Sequence, residues 1–218
     1  MLKSVRNHLE FFRQFRQRFE TTGSIAPSSR FLAQGLTRFL AQRTDQPVRV
    51  LEVGPGTGPA TDRIVRLLRP GDHFDLVELN ESFVDILNQR FETETAWHQV
   101  RDLSRIHQMP LQDFQPTEKY DFIVSGLPHV NFPAEVVELI TDRYFELLKP
   151  GGMLSYFEYM FIRPIRKVVT FGAARERILR ISDIVDGHAE RCRICRDNVW
   201  LNLPPAWVHH LRMPGDES

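Results

Sequence analysis

Apolar residues recur along this chain in two patterns, and each pattern predicts one kind of secondary structure. Short apolar runs predict buried strands at residues 48–53, 73–79, 97–101, 120–125 and 153–159. Helical spacing predicts helices at residues 28–41, 60–68, 82–91, 133–148 and 167–185. Two further strands are predicted near residues 190–201 and 206–212. Strands that alternate with helices predict an α/β fold with a mostly parallel sheet and helices on both faces.

The first twenty residues have a different pattern, in which apolar and basic positions alternate at helical spacing. Arginines and glutamines separate the apolar positions, which are Leu2, Val5, Leu9, Phe12, Phe15 and Phe19. This pattern predicts an amphipathic helix over residues 2–20. Such a helix suits an anionic membrane surface, although its phenylalanine stripe could equally pack on the rest of the chain.

Composition narrows the class of protein. The chain has 218 residues and a formal net charge of zero, so size fits one domain and no overall positive field indicates nucleic acid. The cysteines, Cys192 and Cys195, form one C-x-x-C. A zinc site needs four ligands, so we expect plain thiols and no metal. Few cysteines and no cleavable signal peptide predict a cytoplasmic setting.

A glycine-rich turn between the first predicted strand and the next helix is the strongest chemical signal. Residues 50–58 read VLEVGPGTG, with glycines at positions 54, 56 and 58. Glycine allows a sharp turn and the close approach of a ligand. The spacing G-x-G-x-G differs from the G-x-G-x-x-G of dinucleotide sites. Acidic residues end the next two predicted strands: Glu78 could accept the hydroxyls of a ribose, and Asp102 an adenine amino group.

This arrangement resembles the class I methyltransferases that use S-adenosylmethionine (SAM) over residues 48–160. The resemblance implies a Rossmann-like methyltransferase fold, with SAM as the cofactor. The positions that match its cofactor contacts are Glu52, Gly54, Gly56, Gly58, Glu78, Asp102 and Ser125. We therefore expect one methyltransferase domain over residues 1–218, with the amphipathic helix at 1–20, the SAM-binding core at 48–160 and a C-terminal helix and strands at 161–213.

Further segments narrow the resemblance. Residues 25–30 (IAPSSR), 125–128 (SGLP) and 199–206 (VWLNLPPA) are similar to segments of the bacterial phospholipid N-methyltransferases, which methylate phosphatidylethanolamine. The resemblance implies a membrane lipid with an amine head group as substrate, and a peripheral position on the inner face of the membrane. Related enzymes methylate ornithine lipids, and the sequence does not separate these substrates.

The rival substrate is nucleic acid. Residues 125–128 stand where adenine and ribosomal-RNA methyltransferases carry Asn-Leu-Pro-Tyr or a similar motif. Here Ser125 replaces the asparagine and His129 the aromatic residue, which is needed to stack an extruded base. A similar NLPP at residues 202–205 lies far along the chain from the fourth strand. We therefore expect no nucleic-acid partner.

Methyl transfer to an amine needs a neutral nitrogen, yet an alkyl amine has a pKa of about 10. A proton acceptor at the strand ends would help. The candidate catalytic residues are Ser125, His129 and Tyr159, with Glu158 as a further candidate proton acceptor. Of these, Tyr159 matches an aromatic position of the lipid enzymes, whereas no family position could be matched to His129.

Overall fold

The computed structural model describes residues 29–160 and 192–215. The predicted helices at residues 2–20 and 167–185 lie outside these ranges, so both stay predictions. Within the described ranges, none of the helices is long and apolar enough to cross a lipid bilayer.

A seven-stranded sheet organises the described residues, in the order β3-β2-β1-β4-β5-β7-β6. The strands are β1 Arg49–Val53, β2 His73–Glu78, β3 Ser104–Gln108, β4 Tyr120–Ser125, β5 Leu148–Tyr159, β6 Arg193–Val199 and β7 Ala206–Arg212. The first five run parallel, and β7 is antiparallel to both β5 and β6. All strands except β7 therefore end at the same edge, called here the carboxyl edge.

The helices are α1 Arg30–Leu36, α2 Arg38–Ala41, α3 Pro59–Val65, α4 Glu81–Thr93, α5 Thr95–His98 and α6 Ala134–Leu147. Polar side chains cap two of them. Ser29 accepts a hydrogen bond from the backbone of Leu32 at the start of α1, and Asn80 accepts one from the backbone of Ser82 at the start of α4. The predicted helix over 28–41 is interrupted at Thr37, which separates α1 from α2.

Buried apolar residues form one core on each face of the sheet. Helices α1, α3, α4 and α5 contribute to the first core, which includes Leu32, Ile64 and Phe91. Helix α6 covers the second core with residues such as Val137 and Ile140. The α/β fold with a mostly parallel sheet and helices on both faces is therefore confirmed.

The position of the third strand was predicted wrongly. Residues 97–101 do not form a strand: Trp97 lies on α5, fully buried, with its ring 4.9 Å from that of Phe91. The strand is β3, Ser104–Gln108, and it begins after Asp102. Ser104 pairs with Phe74, near the start of β2. Asp102 therefore lies at the opposite edge of the sheet from the strand ends.

Candidate active site

A cavity opens at the carboxyl edge, where β1, β2, β3 and β4 end. Its walls come from the glycine turn, from residues 77–80, 109–112 and 126–128, and from Phe132 and Ile140. Several of these wall residues, for example Val53, Val77 and Leu111, are also part of the second core, which α6 covers. The cavity thus lies on the α6 face of the sheet, at the place where open α/β sheets bind their ligands.

The three glycines of the turn have positive φ angles, of 66° at Gly54, 58° at Gly56 and 85° at Gly58, but they do different work. A Cβ atom at Gly56 would meet no protein atom within 4 Å, so this backbone borders open space. A Cβ at Gly54 would overlap Leu127. At Gly58 it would lie 2.6 Å from Trp97, and Gly58 does not line the cavity. Gly58 therefore serves packing at the start of α3.

Glu78 closes the cavity on the β2 side. Its Oε1 accepts hydrogen bonds from the backbone of Leu79 and Asn80, both at 2.9 Å. Its Oε2 accepts one from the backbone of Gly56 at 3.1 Å. Burial raises the pKa of this carboxyl, and the backbone donors act against that rise. A carboxylate has about four acceptor positions and three are occupied, so Glu78 keeps one position for a hydroxyl group of a ligand.

The predicted adenine acceptor, Asp102, is not in the cavity. It is exposed and lies at the other edge of the sheet, because β3 starts after it. Residues 109–112 follow β3 instead and line the cavity. Among them Gln112 supplies the polar side chain, while Met109 and Leu111 supply apolar surface.

Comparison with known proteins identifies the chemistry of this cavity. Residues 50–152 match a family described as "Methyltransferase domain". The structure is similar to that of an O-methyltransferase from Bacillus cereus in complex with SAH, with a TM-score of 0.61, 16% identity, and coverage of 94% of this chain and 90% of that one. An ornithine lipid N-methyltransferase of Singulisphaera acidiphila is 29% identical over 154 residues, which are 69% of this chain and 77% of that protein. The chain is a SAM-dependent methyltransferase.

A second curated relative has a different substrate. The ribosomal RNA small subunit methyltransferase A of Pseudomonas fluorescens is 26% identical over 157 residues. The matched region is 67% of this methyltransferase but only 48% of that protein, so the chain spans about half the length of this relative.

The cavity of the methyltransferase fits SAM in its chemistry. Glu78 offers a carboxylate oxygen for a ribose hydroxyl, and Leu79, Met109 and Leu111 offer apolar walls for the adenine ring. The open space at Gly56 lets the ligand approach the backbone. SAM supplies a methyl group on a positively charged sulfur, already activated for transfer to a nucleophile.

Glu52 lies behind the cavity and does not line it. Its side chain is fully buried, and its Oε2 accepts a hydrogen bond from the Thr61 hydroxyl at 2.7 Å. Burial raises the pKa of Glu52 from 4.5 to about 8, Thr61 opposes the rise and Glu78 adds to it. The residue predicted as a cofactor contact is therefore a buried, largely protonated acid next to the turn.

Ser125 also supports the cavity from behind. It is fully buried, its hydroxyl lies 2.6 Å from that of Tyr144, and it accepts a hydrogen bond from the backbone of Leu127 at 3.3 Å. A Cβ on the next residue, Gly126, would overlap the carbonyl of Gly54. The two loops of the cavity are thus closely packed, and Ser125 holds the second one in place.

His129 belongs to a row of rings on the α6 face. Its ring centroid lies 5.3 Å from that of Tyr156, and the Tyr156 ring stacks on His209 at 5.0 Å. His209 Nε2 lies 3.6 Å from the Glu158 carboxylate. Tyr156 and His209 were not among the residues predicted from the sequence. The period of two along β5 could have indicated Tyr156, because it shares a face with Leu154.

Tyr159 is not part of this row. It packs in the opposite core, edge-on to Phe157, and it does not line the cavity. Burial raises the pKa of its hydroxyl. The structure therefore does not bring Tyr159 and His129 together, although both lie near strand ends.

Neither Cys192 nor Cys195 forms a disulfide bond in the described structure. Within the described residues, Cys195, Asp197 and His210 hold their potential metal-ligand atoms within 4.8 Å of one another. However, Arg38 donates a hydrogen bond to Asp197 at 2.7 Å, and its guanidinium group opposes a cation at this position. None of the three residues lines the SAM cavity.

Proposed function

We propose that this methyltransferase transfers the methyl group of SAM to the amine of a membrane-lipid head group. The observation that carries the proposal is the match to an ornithine lipid N-methyltransferase along 77% of that protein. Phosphatidylethanolamine and ornithine lipids both present a primary amine, so both belong to the proposed substrate class.

The surroundings of His129 favour an amine over an adenine base. An extruded base needs an exposed aromatic side chain on which it stacks. His129 stands at that place in the sequence, but only 5% of its surface is exposed, and its ring packs against Tyr144 and Tyr156. The NLPP at residues 202–205 lies between β6 and β7, separated from β4 by β5 and β7 in the sheet. Neither segment supports base recognition.

The amine must lose a proton before it can accept a methyl group. At neutral pH only about one alkyl amine in a thousand is neutral, since its pKa is about 10. We propose that a ring nitrogen of His129 takes this proton. Pro128 and Phe132, on either side of His129 in the sequence, line the cavity, whereas His129 itself lies behind this lining. Successive contacts lead from His129 to Tyr156, then to His209 and to the Glu158 carboxylate, on the same face of the sheet.

A lipid substrate implies that the enzyme works at a membrane. We propose a peripheral position on the cytoplasmic face, with the basic residues between 2 and 20 attracted to anionic lipids. That segment lies outside the described residues, so its role rests on the sequence pattern.

Label transfer to defined lipids tests the proposed function. The wild-type protein is incubated with methyl-labelled SAM and vesicles of phosphatidylcholine that contain phosphatidylethanolamine, ornithine lipid or neither, and in a parallel reaction with ribosomal RNA. Chromatography and mass spectrometry then identify the products. We expect label on the head-group amine of at least one amine lipid and none on phosphatidylcholine alone. Labelling of ribosomal RNA without any labelled lipid would instead favour the RNA relative.

A further inference from the structure

The loop between β6 and β7, residues 200–205, carries large apolar side chains on the protein surface. The exposed fractions are 61% for Trp200, 68% for Leu201 and 79% for Leu203. The polar residue among them, Asn202, is only 3% exposed. This is the reverse of an ordinary surface loop, where polar side chains face water and apolar ones are covered.

Hydrogen bonds hold the loop in this reversed arrangement. Asn202 Oδ1 accepts a hydrogen bond from the backbone of Ser29 at 2.9 Å, and Nδ2 donates one to the carbonyl of Pro204 at 2.7 Å. The backbone of Met160 donates to the carbonyl of Pro205 at 2.7 Å. Since Asn202 is turned inward, Leu201 and Leu203 on either side of it point outward. The loop is a built feature rather than a loose one.

The loop lies at the carboxyl edge of the sheet. Because β6 runs in the same direction as β1 and β4, its end at Val199 lies at the carboxyl edge, where the SAM cavity opens. The segments 1–28 and 161–191, both rich in arginine, join the described structure at Ser29 and Met160. Both of these residues are hydrogen-bonded to the loop.

Charge beside the loop is complementary to an anionic surface. An open cleft between α1 and β6 is lined by Trp200 and Leu201 together with Arg38 and Arg63. Asp197 in the same cleft pairs with Arg38, which leaves one positive charge in excess among these three side chains. Tryptophan and arginine together are typical of the membrane–water interface.

We infer that the β6–β7 loop inserts Trp200, Leu201 and Leu203 into the membrane interface. The insertion holds the carboxyl edge of the sheet, where the SAM cavity opens, at the level of the lipid head groups. This inference rests on the proposed function, because a lipid amine can reach the cavity only where the protein meets the bilayer. Apolar side chains exposed in solution become buried among acyl chains, and the arginines stay at the phosphates.

Sedimentation with vesicles of phosphatidylethanolamine and phosphatidylglycerol tests the inference. The triple variant Trp200→Ser, Leu201→Ser, Leu203→Ser should bind at least about tenfold more weakly than wild type, since each apolar side chain contributes to partitioning. The matched control is Ile194→Ser, at the other end of β6, where the side chain is 44% exposed. The control should bind like wild type. If the triple variant sediments like wild type, the inference is wrong.

A second measurement covers the case in which the triple variant fails to fold. The emission of Trp200 is obtained as the difference between wild type and Trp200→Phe. Vesicles with brominated acyl chains should quench this emission and shift it to shorter wavelength. An emission already at short wavelength in solution and unchanged by vesicles would mean that another part of the chain covers the loop, which overturns the inference.

Methylation assays separate this inference from the proposed function. The triple variant should lose activity on vesicles yet keep it on a dispersed short-chain phosphatidylethanolamine, with unchanged SAM affinity. Equal activity of variant and wild type on vesicles contradicts the inference and leaves the lipid substrate intact. If wild type binds vesicles through the loop but methylates no amine lipid in any form, the proposed function fails while membrane insertion stands.

Discussion

The carboxylate of Glu78 accepts a hydrogen bond from the backbone N–H of Gly56, with 3.1 Å between Oε2 and N. This bond joins the end of β2 to the turn that follows β1, and both of these segments line the cavity. Glu78 therefore shapes the turn as well as offering oxygen atoms to the ligand, and Gly56 presents its open side to the same cavity.

Gly56→Val should weaken SAM binding by about tenfold to a hundredfold, because overpacking costs about 1–3 kcal/mol. The valine would fill the open space next to the turn. Gly151→Val is the matched control, since Gly151 also has a positive φ and no protein atom near its Cβ position, but lies outside the cavity. Calorimetry should show unchanged SAM affinity for the control. Equal affinities for both folded variants would contradict the placement of SAM.

Gln112→Ala should weaken SAM binding by up to about tenfold, the value of one ordinary hydrogen bond. Asp102→Asn should leave the affinity unchanged, because Asp102 lies at the far edge of the sheet. Calorimetric titration of both variants with SAM checks the pair. The opposite ranking would restore the adenine contact to Asp102.

Most strands could be predicted because their buried faces leave a clear apolar pattern. β1, β2 and β4 lie inside the sheet, and each carries at least three buried apolar residues. β3 reads SRIHQ, lies at the sheet edge and is partly exposed, so its pattern is too polar to stand out. The apolar residues Trp97 and Val100 led to the prediction of a strand, but they pack against the core from α5 and from the segment after it.

The cofactor site could be predicted in part, because the glycine turn directly follows one apolar strand and Glu78 ends the next. Both features can be located in the sequence alone. The sequence could not show whether a residue near the strand ends lines the cavity or lies behind its lining. Glu52 and Ser125 end up behind the cavity, and Tyr159 falls on the opposite face. The rings next to His129 come from α6 and β5, and contacts between separate segments leave no local pattern.

His129→Phe should lower kcat by about a hundredfold, the typical contribution of a general base, with unchanged SAM affinity. Phenylalanine preserves the ring packing on Tyr156 but cannot take a proton. The pH profile of kcat should also lose the limb that reports ionisation of this base. His209→Phe, on the far side of Tyr156, is the control and should keep most of the rate. A fully active His129→Phe would leave His129 as a packing residue.

Glu52 should make stability depend on pH in a defined window. Its folded pKa of about 8 lies above the ordinary 4.5, so the folded state holds the proton more tightly. This contribution is complete below pH 4.5 and is lost as the pH rises toward 8. Glu52→Gln cannot ionise, so the unfolding free energy of wild type minus variant should fall with pH by at most about 1.4 kcal/mol per unit. Denaturant unfolding from pH 5 to 9 measures this difference, and a constant difference would contradict the buried protonated acid.

The most direct test of the proposed lipid amine substrate is a competition in one tube. Wild-type protein receives methyl-labelled SAM together with vesicles of phosphatidylethanolamine and ornithine lipid and with bacterial ribosomal RNA. Solvent extraction separates lipid from RNA before the label is counted. Label in the lipid fraction, on the head-group amine, and background counts in the RNA are the predicted result. Label in RNA adenines with an unlabelled lipid fraction would contradict the account.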